Sequence, residues 1–347
     1  EKYPTKHTPH KMPSEEHELK DAPTDGVTSN VFANSSDLLM VSSWDKGVRL
    51  YDARKNVLKH SYEHQAAVLD CAFTADDAKG FSGGLDRTLM MCDFQTGNTS
   101  VLGSHNTAIK CVEYSETTGL VISGGWDSKV CLWDARAQNA AGSTRVQEGL
   151  KVYTAALNHN RLVVGTSGRQ VYIYDVRQMS QPEQVRESSL MNQTRCIRIF
   201  PNGAGYALSS IEGRVAIEFF DPSPIVQKKK YAFKCHRKSG ENKVQTLFPV
   251  NAIAFHPTHG TFATGGCDGL VNVWDGENKK RICQYREYPT SVAALDFNYT
   301  GDLLAISASY TFEEGDKDHP ADAVFIRTVN ENEVKKKLAK KKQKTEQ

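Results

Sequence analysis

Short apolar runs that each close on an aspartate recur along this chain. Val48-Arg49-Leu50-Tyr51-Asp52, Leu89-Met90-Met91-Cys92-Asp93, Val130-Cys131-Leu132-Trp133-Asp134 and Val171-Tyr172-Ile173-Tyr174-Asp175 share one shape, and their aspartates stand 41 residues apart. Seven residues before each aspartate lies a turn pair: Asp45-Lys46, Asp86-Arg87, Asp127-Ser128 and Gly168-Arg169. Residues of this kind tolerate the left-handed backbone of a tight hairpin, so each unit predicts strand, turn, strand. Asp268-Gly269 repeats the spacing before Val271-Asn272-Val273-Trp274-Asp275. Glu212-Gly213 precedes the run ending at Asp221 by nine residues.

A period near 40 with an aromatic-Asp ending marks the blades of a WD-repeat β-propeller. Six such units, plus two strands at 303–308 and 324–327, predict an all-β, seven-bladed disc. A lone four-stranded sheet cannot bury both faces, so the seven units form one domain. His17 to Ala22 is expected to close the ring as the outer strand of the last blade. The boundaries are then 1–14 as a disordered extension, 15–330 as the propeller and 331–347 as a Lys-rich disordered tail. Aspartate spacing widens to 46 and then 54 residues after Asp175, and both excesses are assigned to loops.

Hydrophobic content is 39% of 347 residues, enough for a core shared by seven sheets. No stretch reaches transmembrane length and no signal peptide is visible. A start at Glu1 rather than Met leaves room for a short missing piece. Eight cysteines stand singly, without Cys-x-x-Cys pairs, and read as reduced core thiols of an intracellular protein. Neither they nor the histidines show metal-ligand spacing, so no metal or other cofactor is expected. Net charge is +2, but seven lysines lie between 335 and 344, which leaves −5 for the remainder. That balance argues against a disc that wraps nucleic acid. The lysine run reads as a nuclear address, a polyanion tether or simply a solvated end.

His64 and His105 precede Ser82 and Ser123 by 18 residues, and Asp86 and Asp127 follow those serines by four. A hydrolase triad would occur once, beside one pocket and an oxyanion hole. A copy in each blade reads instead as a buried network tying the inter-blade loop to the hairpin. Blade three carries the full structural tetrad of WD repeats, His105, Ser123, Asp127 and Trp133; blade two has Cys92 at the Trp position. No catalytic residue is assigned, and no enzyme activity is expected.

Between Lys228 and Lys238 runs a strongly basic strand. Alternation puts Tyr231, Phe233 and Cys235 on one side, and Lys230, Ala232, Lys234 and His236 on the other. Lysines on an outer strand often serve only to block sheet-to-sheet pairing. A second reading follows from topology. Arg195, Arg198, Arg214, Lys234 and Arg237 should converge on one rim sector of the hairpin face, as a clamp for phosphate or carboxylate. Trp44 and Trp126 sit at hairpin turns of the same face, as anchors for a peptide or as rings packed over a neighbouring blade.

Several runs carry a resemblance: Val41-Ser42-Ser43-Trp44-Asp45, Gln193-Thr194-Arg195-Cys196-Ile197-Arg198, Ile211-Glu212-Gly213-Arg214-Val215-Ala216, and Asp221 through Arg237. Over about residues 20–328 the chain resembles the WD-repeat proteins of the spindle assembly checkpoint, the budding-uninhibited-by-benzimidazoles-three family. The triple lysine in Lys228-Lys229-Lys230-Tyr231-Ala232-Phe233-Lys234 favours these over the sister family of messenger-RNA export WD proteins. The resemblance implies a non-enzymatic adaptor, monomeric alone, in the nucleus and at mitotic kinetochores. It implies binding of a GLEBS segment from a checkpoint kinase and its kinase-like paralogue, with Arg195 pairing acidic residues beside Trp44 and Trp126. It also implies reading of phosphorylated Met-Glu-Leu-Thr repeats of a kinetochore scaffold through Arg214, with Lys234 and Arg237 as further basic contacts. The ubiquitin ligase of anaphase control would be met through the checkpoint complex, without direct nucleic-acid or membrane contact.

Two other functions compete. An export adaptor at the nuclear pore would share GLEBS binding and add RNA contacts. A substrate receptor of a cullin ubiquitin ligase would use Trp133-Asp134-Ala135-Arg136 as a docking box. Tyr51-Asp52-Ala53-Arg54 and Tyr174-Asp175-Val176-Arg177 repeat that shape, which makes it more simply a blade ending.

Overall fold

The computed structural model describes residues 15–136 and 139–336. Seven four-stranded antiparallel sheets form a β-propeller, with one further two-stranded hairpin. Blade one is typical: Val27–Phe32 lines the channel, Leu38–Ser43 and Gly47–Asp52 follow, and Val57–Glu63 lies outermost. The burial gradient follows from this order. Met40, Val41 and Tyr51 of the middle strands are fully buried, while Val57–Glu63 alternates between exposed and half-buried.

The recurrent aspartates have a local cause. Asp52, Asp93, Asp134, Asp175 and Asp275 each accept a backbone N–H from the turn that follows, at 2.9–3.1 Å. This is an Asx turn, which reverses the chain into the outer strand. At the other end, the left-handed residue of the hairpin is the second of the turn pair: Lys46, Arg87, Ser128 and Arg169 all have φ between +62° and +70°. The aspartate itself accepts the amide two residues on, as Asp45 does from Gly47 at 2.9 Å and Asp127 from Lys129 at 3.2 Å.

Each channel-lining strand carries a register shift near its start, for example between Val27 and Ser29, Val68 and Asp70, and Thr194 and Ile197. Such bulges tighten the twist and re-aim backbone groups. Here they accompany bonds between blades: the Val112 amide donates to Asp70 at 2.9 Å, and the Ile197 amide to Thr154 at 3.0 Å.

The ring closes through Glu16–Glu18, which pairs with Ala323–Thr328 in blade seven. The closing strand thus begins one residue before the expected His17 and ends at Glu18. Beyond it the Lys20 amide bonds Asn56, and Asp21 turns the chain with φ +53°. Glu16 clasps the closure, accepting from Arg286, from Tyr288 at 2.7 Å and from Arg327 at 3.5 Å. The expected extension 1–14 and most of the tail lie outside the described residues. The tail boundary at 331 falls inside an ordered turn: Glu331–Val334 is helical, boxed by Asn330 and Glu333, with Val334 buried.

The widened spacing before Asp275 resolves into two features on opposite faces. A short helix, Pro224–Gln227, precedes the outer strand of blade five, Tyr231–Lys234. The hairpin Arg237–Ser239/Gln245–Leu247 follows that strand, between blades five and six. Lys228, Lys229 and Lys230 therefore enter the outer strand from one face of the disc, and Lys234 leaves it at the other.

Candidate peptide-binding face

The face bearing the hairpin turns and inter-blade loops holds the residues singled out above. Blade five presents a row across its upper edge: Thr194 pairs with Ser210, Ser210 with Arg214, and Arg214 with Lys234. Directly paired residues point to the same side of a sheet, so Arg214 and Lys234 stand side by side, at a strand spacing of about 5 Å. Lys234 is exposed and Arg214 half-buried. Glu212 is the carboxylate beside Arg214, with Oε2 3.6 Å from Nε, beyond hydrogen-bond length. That Nε is buried without a hydrogen-bond partner.

Arg195 lies at the inner end of the row, on the channel wall, where Nε donates to Asn251 Oδ1 at 3.2 Å. Arg198 does not join the rim. The bulge between Thr194 and Ile197 resets the alternation and turns Arg198 into the channel as well. There it lies close to Glu113, Asp70 and Asp296. Burial pushes the Glu113 carboxyl up to about 8 and Asp296 up to about 6, against the pull of Arg198.

Arg237 is spent on structure. Its Nη2 donates to the Glu212 carbonyl at 2.8 Å and its Nε to the Gly213 carbonyl at 3.3 Å. It braces the turn that leads into Arg214 and leaves Lys234 as the exposed cation of the pair. The two tryptophans also differ. Trp44 is 49% exposed, its ring set against Gly26, where a Cβ would stand 3.2 Å from the indole. Trp126 is half-buried beneath Lys151, whose Nζ is 5.1 Å from the ring centroid, and its Nε1 is buried without a partner. Lys151 and Asn251 were not evident as neighbours in the sequence, because each reaches its partner across a blade boundary.

His105, Ser123, Asp127 and Trp133 meet beneath this face. His105 Nδ1 is 3.0 Å from Asp127 Oδ1 and Nε2 is 2.7 Å from Ser123 Oγ, which accepts from Trp133 Nε1 at 2.7 Å. Burial alone would raise the Asp127 carboxyl, but His105 and the amides of Asn106 and Lys129 outweigh it and hold it below the ordinary aspartate value. The Ser123 hydroxyl holds two partners within the network, and both it and His105 are buried. A second complete set was missed: His236, Thr264, Asp268 and Trp274, at 2.8, 2.8 and 2.9 Å. His236 is therefore buried rather than aligned with Lys234; its φ of +45° breaks the strand alternation. Thr264, Asp268 and Trp274 keep the blade-three spacings of four and ten residues, which is the signal that was available. In blade two, Tyr62 Oη reaches Ser82 Oγ at 2.8 Å in place of an indole.

The family description "WD domain, G-beta repeat" matches residues 14–52, 97–134 and 231–275. "Mitotic checkpoint protein BUB3.1" of Arabidopsis thaliana is 56% identical over 330 residues, covering 94% of this chain and 96% of that protein. The chain belongs to the mitotic checkpoint BUB3 family. Another member, "Mitotic checkpoint protein bub3" of Dictyostelium discoideum, is 46% identical over 93% of this chain and 97% of its own length. "mRNA export factor GLE2" of Chaetomium thermophilum is 34% identical over 94% of this chain and 93% of that protein, which makes it a more distant relative of this BUB3-family chain. The solved structure titled "Structure of U3-55K" superposes with a TM-score of 0.79 at 16% identity, over 90% of this chain and 98% of that one, and shares the fold alone.

In blades three and four the arginine of the docking-box shape folds back on its own aspartate. Arg136 Nε and Nη2 lie 3.0 and 2.9 Å from Asp134, and Arg177 likewise chelates Asp175. The box is thus a closed blade ending in both.

Proposed function

We propose that this chain is a mitotic checkpoint adaptor that holds a GLEBS segment across its hairpin face and reads phosphothreonine at blade five. In this reading Trp44 supplies buried aromatic area, and Trp126 offers its unpartnered indole N–H once Lys151 moves aside. Arg195 pairs with an acidic residue at the channel mouth. Arg214 and Lys234 take the phosphate of a Met-Glu-Leu-Thr repeat, and Arg237 positions them by bracing the turn. The adaptor thereby brings checkpoint kinases to a nuclear scaffold at the kinetochore. The observation that carries the reading is the adjacent Arg214–Lys234 pair, whose buried Nε lacks a hydrogen-bond partner. The Arg214 side chain is 34% exposed and its Glu212 partner stands 3.6 Å away, so the guanidinium has donors to offer a phosphate with three acceptor oxygens.

Titration of phosphorylated and plain Met-Glu-Leu-Thr peptides by calorimetry tests it. Wild type should favour the phosphopeptide at least about tenfold, roughly 1.4 kcal/mol. Arg214→Ala should remove most of that preference and leave GLEBS binding intact, while Arg195→Glu should do the reverse. Equal affinity of wild type for the two peptides rejects the reading.

A further inference from the structure

The opposite face of the disc carries a groove that the proposed function does not use. It lies between blades five and six, with a volume of 820 Å³, and continues past Ala204 and Phe219 into a second hollow of 460 Å³. Its walls are aromatic: Phe200, Phe219, Tyr231, Phe255 and Phe262. All but Phe262 remain half-buried. At Gly276 the lining carries no side chain. The residue after the blade-closing aspartate is buried Ala53 in blade one and buried Val176 in blade four. In blade six it is Gly276, where a Cβ would stand 3.3 Å from Phe262 Cε1 and 3.7 Å from Tyr231 Oη.

Charge at the mouth is lopsided. Lys229, Lys279 and Lys336 line it, and Glu277 is the one lining carboxylate among the described residues. Glu277 is already paired with Lys336 at 2.6 Å. Lys279 rests 4.4 Å over the Tyr231 ring, and Lys229 is exposed with Lys228 and Lys230 beside it. An apolar floor beneath uncompensated lysines suits a chain that brings carboxylates and one large apolar side chain. Nucleic acid fits less well. Phe200 meets Phe219 at 76° and Phe255 at 62°, so the rings cover one another instead of offering faces on which bases stack.

We propose that this groove is a second docking site, for an acidic, unphosphorylated linear peptide that buries one aromatic or branched side chain against Phe200 and Phe255. A random dodecapeptide display library, panned on the full chain and counter-panned on Gly276→Val, tests it directly. The valine restores the side chain that blade four carries and sets its methyl groups against Phe262 and Tyr231 without altering charge. Peptides enriched on wild type and lost on Gly276→Val should carry two or more Asp or Glu around one Phe, Trp, Leu or Ile. A synthetic peptide from that set should bind the Lys229→Glu/Lys279→Glu variant at least tenfold more weakly than wild type. That second variant stands if Gly276→Val fails to fold, and phosphopeptide binding on the other face should be unchanged in both. Several results would overturn the proposal. One is a library that yields no family lost on Gly276→Val, or only basic ones. Another is a poly(U) oligonucleotide that competes for the groove in place of the peptides. A third is a tenfold rise in peptide affinity on removal of residues 337–347, which would make the tail the resident occupant.

Discussion

Blades two and three solve one packing problem in opposite ways, and exchanging the solutions gives a quantitative test. Tyr62 and Gly103 occupy equivalent outer-strand positions, 41 residues apart, as do Cys92 and Trp133 on the third strands. Where the third strand carries Cys92, the outer strand of the preceding blade supplies Tyr62 to Ser82. Where it carries Trp133, the outer strand must shrink: a Cβ on Gly103 would lie 2.0 Å from Trp133 Cζ3. Trp133→Cys alone should cost about 3–4 kcal/mol, since the indole is 5% exposed and its removal leaves a cavity. Gly103→Tyr alone should cost at least about 3 kcal/mol, because its ring would occupy the space of the indole. If the sites were independent, the double variant would lose about 6–7 kcal/mol. It should instead recreate the blade-two pair, with the new phenol bonded to Ser123, and lose no more than about 2 kcal/mol. At roughly 2.1 cal/mol/K per residue over about 320 residues, 3 kcal/mol shifts the melting temperature by about 4–5 °C, well within calorimetric resolution. Guanidinium unfolding of wild type, both single variants and the double variant completes the cycle. Additive losses would show that the large–small exchange is coincidence and that each blade packs on its own.

His105→Ala should lower stability by about 1–3 kcal/mol, read by chemical denaturation, because Asp127 and Ser123 lose a shared buried partner. Glu113→Gln should flatten the dependence of melting temperature on pH. Burial raises the Glu113 carboxyl to about 8, so its contribution is full below the ordinary glutamate value, near 4.5, and is lost as pH rises through 8. Wild type should therefore weaken between about pH 5 and 8 relative to the variant, and parallel curves would refute the assignment. Asp302 opposes this at the acid end. Burial raises its carboxyl, but Thr300, Asn298 and Arg54 outweigh that and hold it near 2, so its contribution is present above about pH 4 and is lost as pH falls toward 2. Glu16→Ala should cost about 1.5–3 kcal/mol by releasing Arg286, Tyr288 and Arg327, and hydrogen exchange should quicken first along Ala323–Thr328. Uniform quickening would show that the closing strand is not the weak seam.

The repeat made the ring legible because its period survives wherever loops keep their length. It failed where an insertion fell inside a repeat. His236 precedes Thr264 by 28 residues rather than the 18 separating His105 from Ser123, since the hairpin from Arg237 to Leu247 intervenes. Alternation failed for a different reason. It assumes an unbroken pleat, and the left-handed His236 resets the parity, which misplaced His236; Arg198 was put on the rim from topology, which does not show the bulge before Ile197. Arg214 and Lys234 stand at strand ends and Trp44 at a hairpin turn, positions that strand order alone defines. The aromatic groove was not legible at all. It is lined by residues of two blades that no local pattern connects, Gly276 among them.

That distinction bears on how one strand can serve two faces. The lysine-rich segment of blade five looked like a single patch in sequence, yet Tyr231 and Lys234 stand at opposite ends of a four-residue strand. At 3.3 Å per residue they are separated by about 10 Å. Two unit charges that far apart in water interact by about 0.4 kcal/mol before screening, and a Debye length of about 8 Å at physiological salt reduces this further. A phosphate held at Arg214 and Lys234 therefore scarcely alters the field felt by a carboxylate beside Lys229. Between them residues 214–217 are paired on both sides within their sheet. A rigid blade of this kind does not transmit one binding event to the other. If both proposed ligands bind, they sit at a fixed separation, and any cooperation between them would come from a tether joining the ligands themselves, through effective concentration rather than through the propeller.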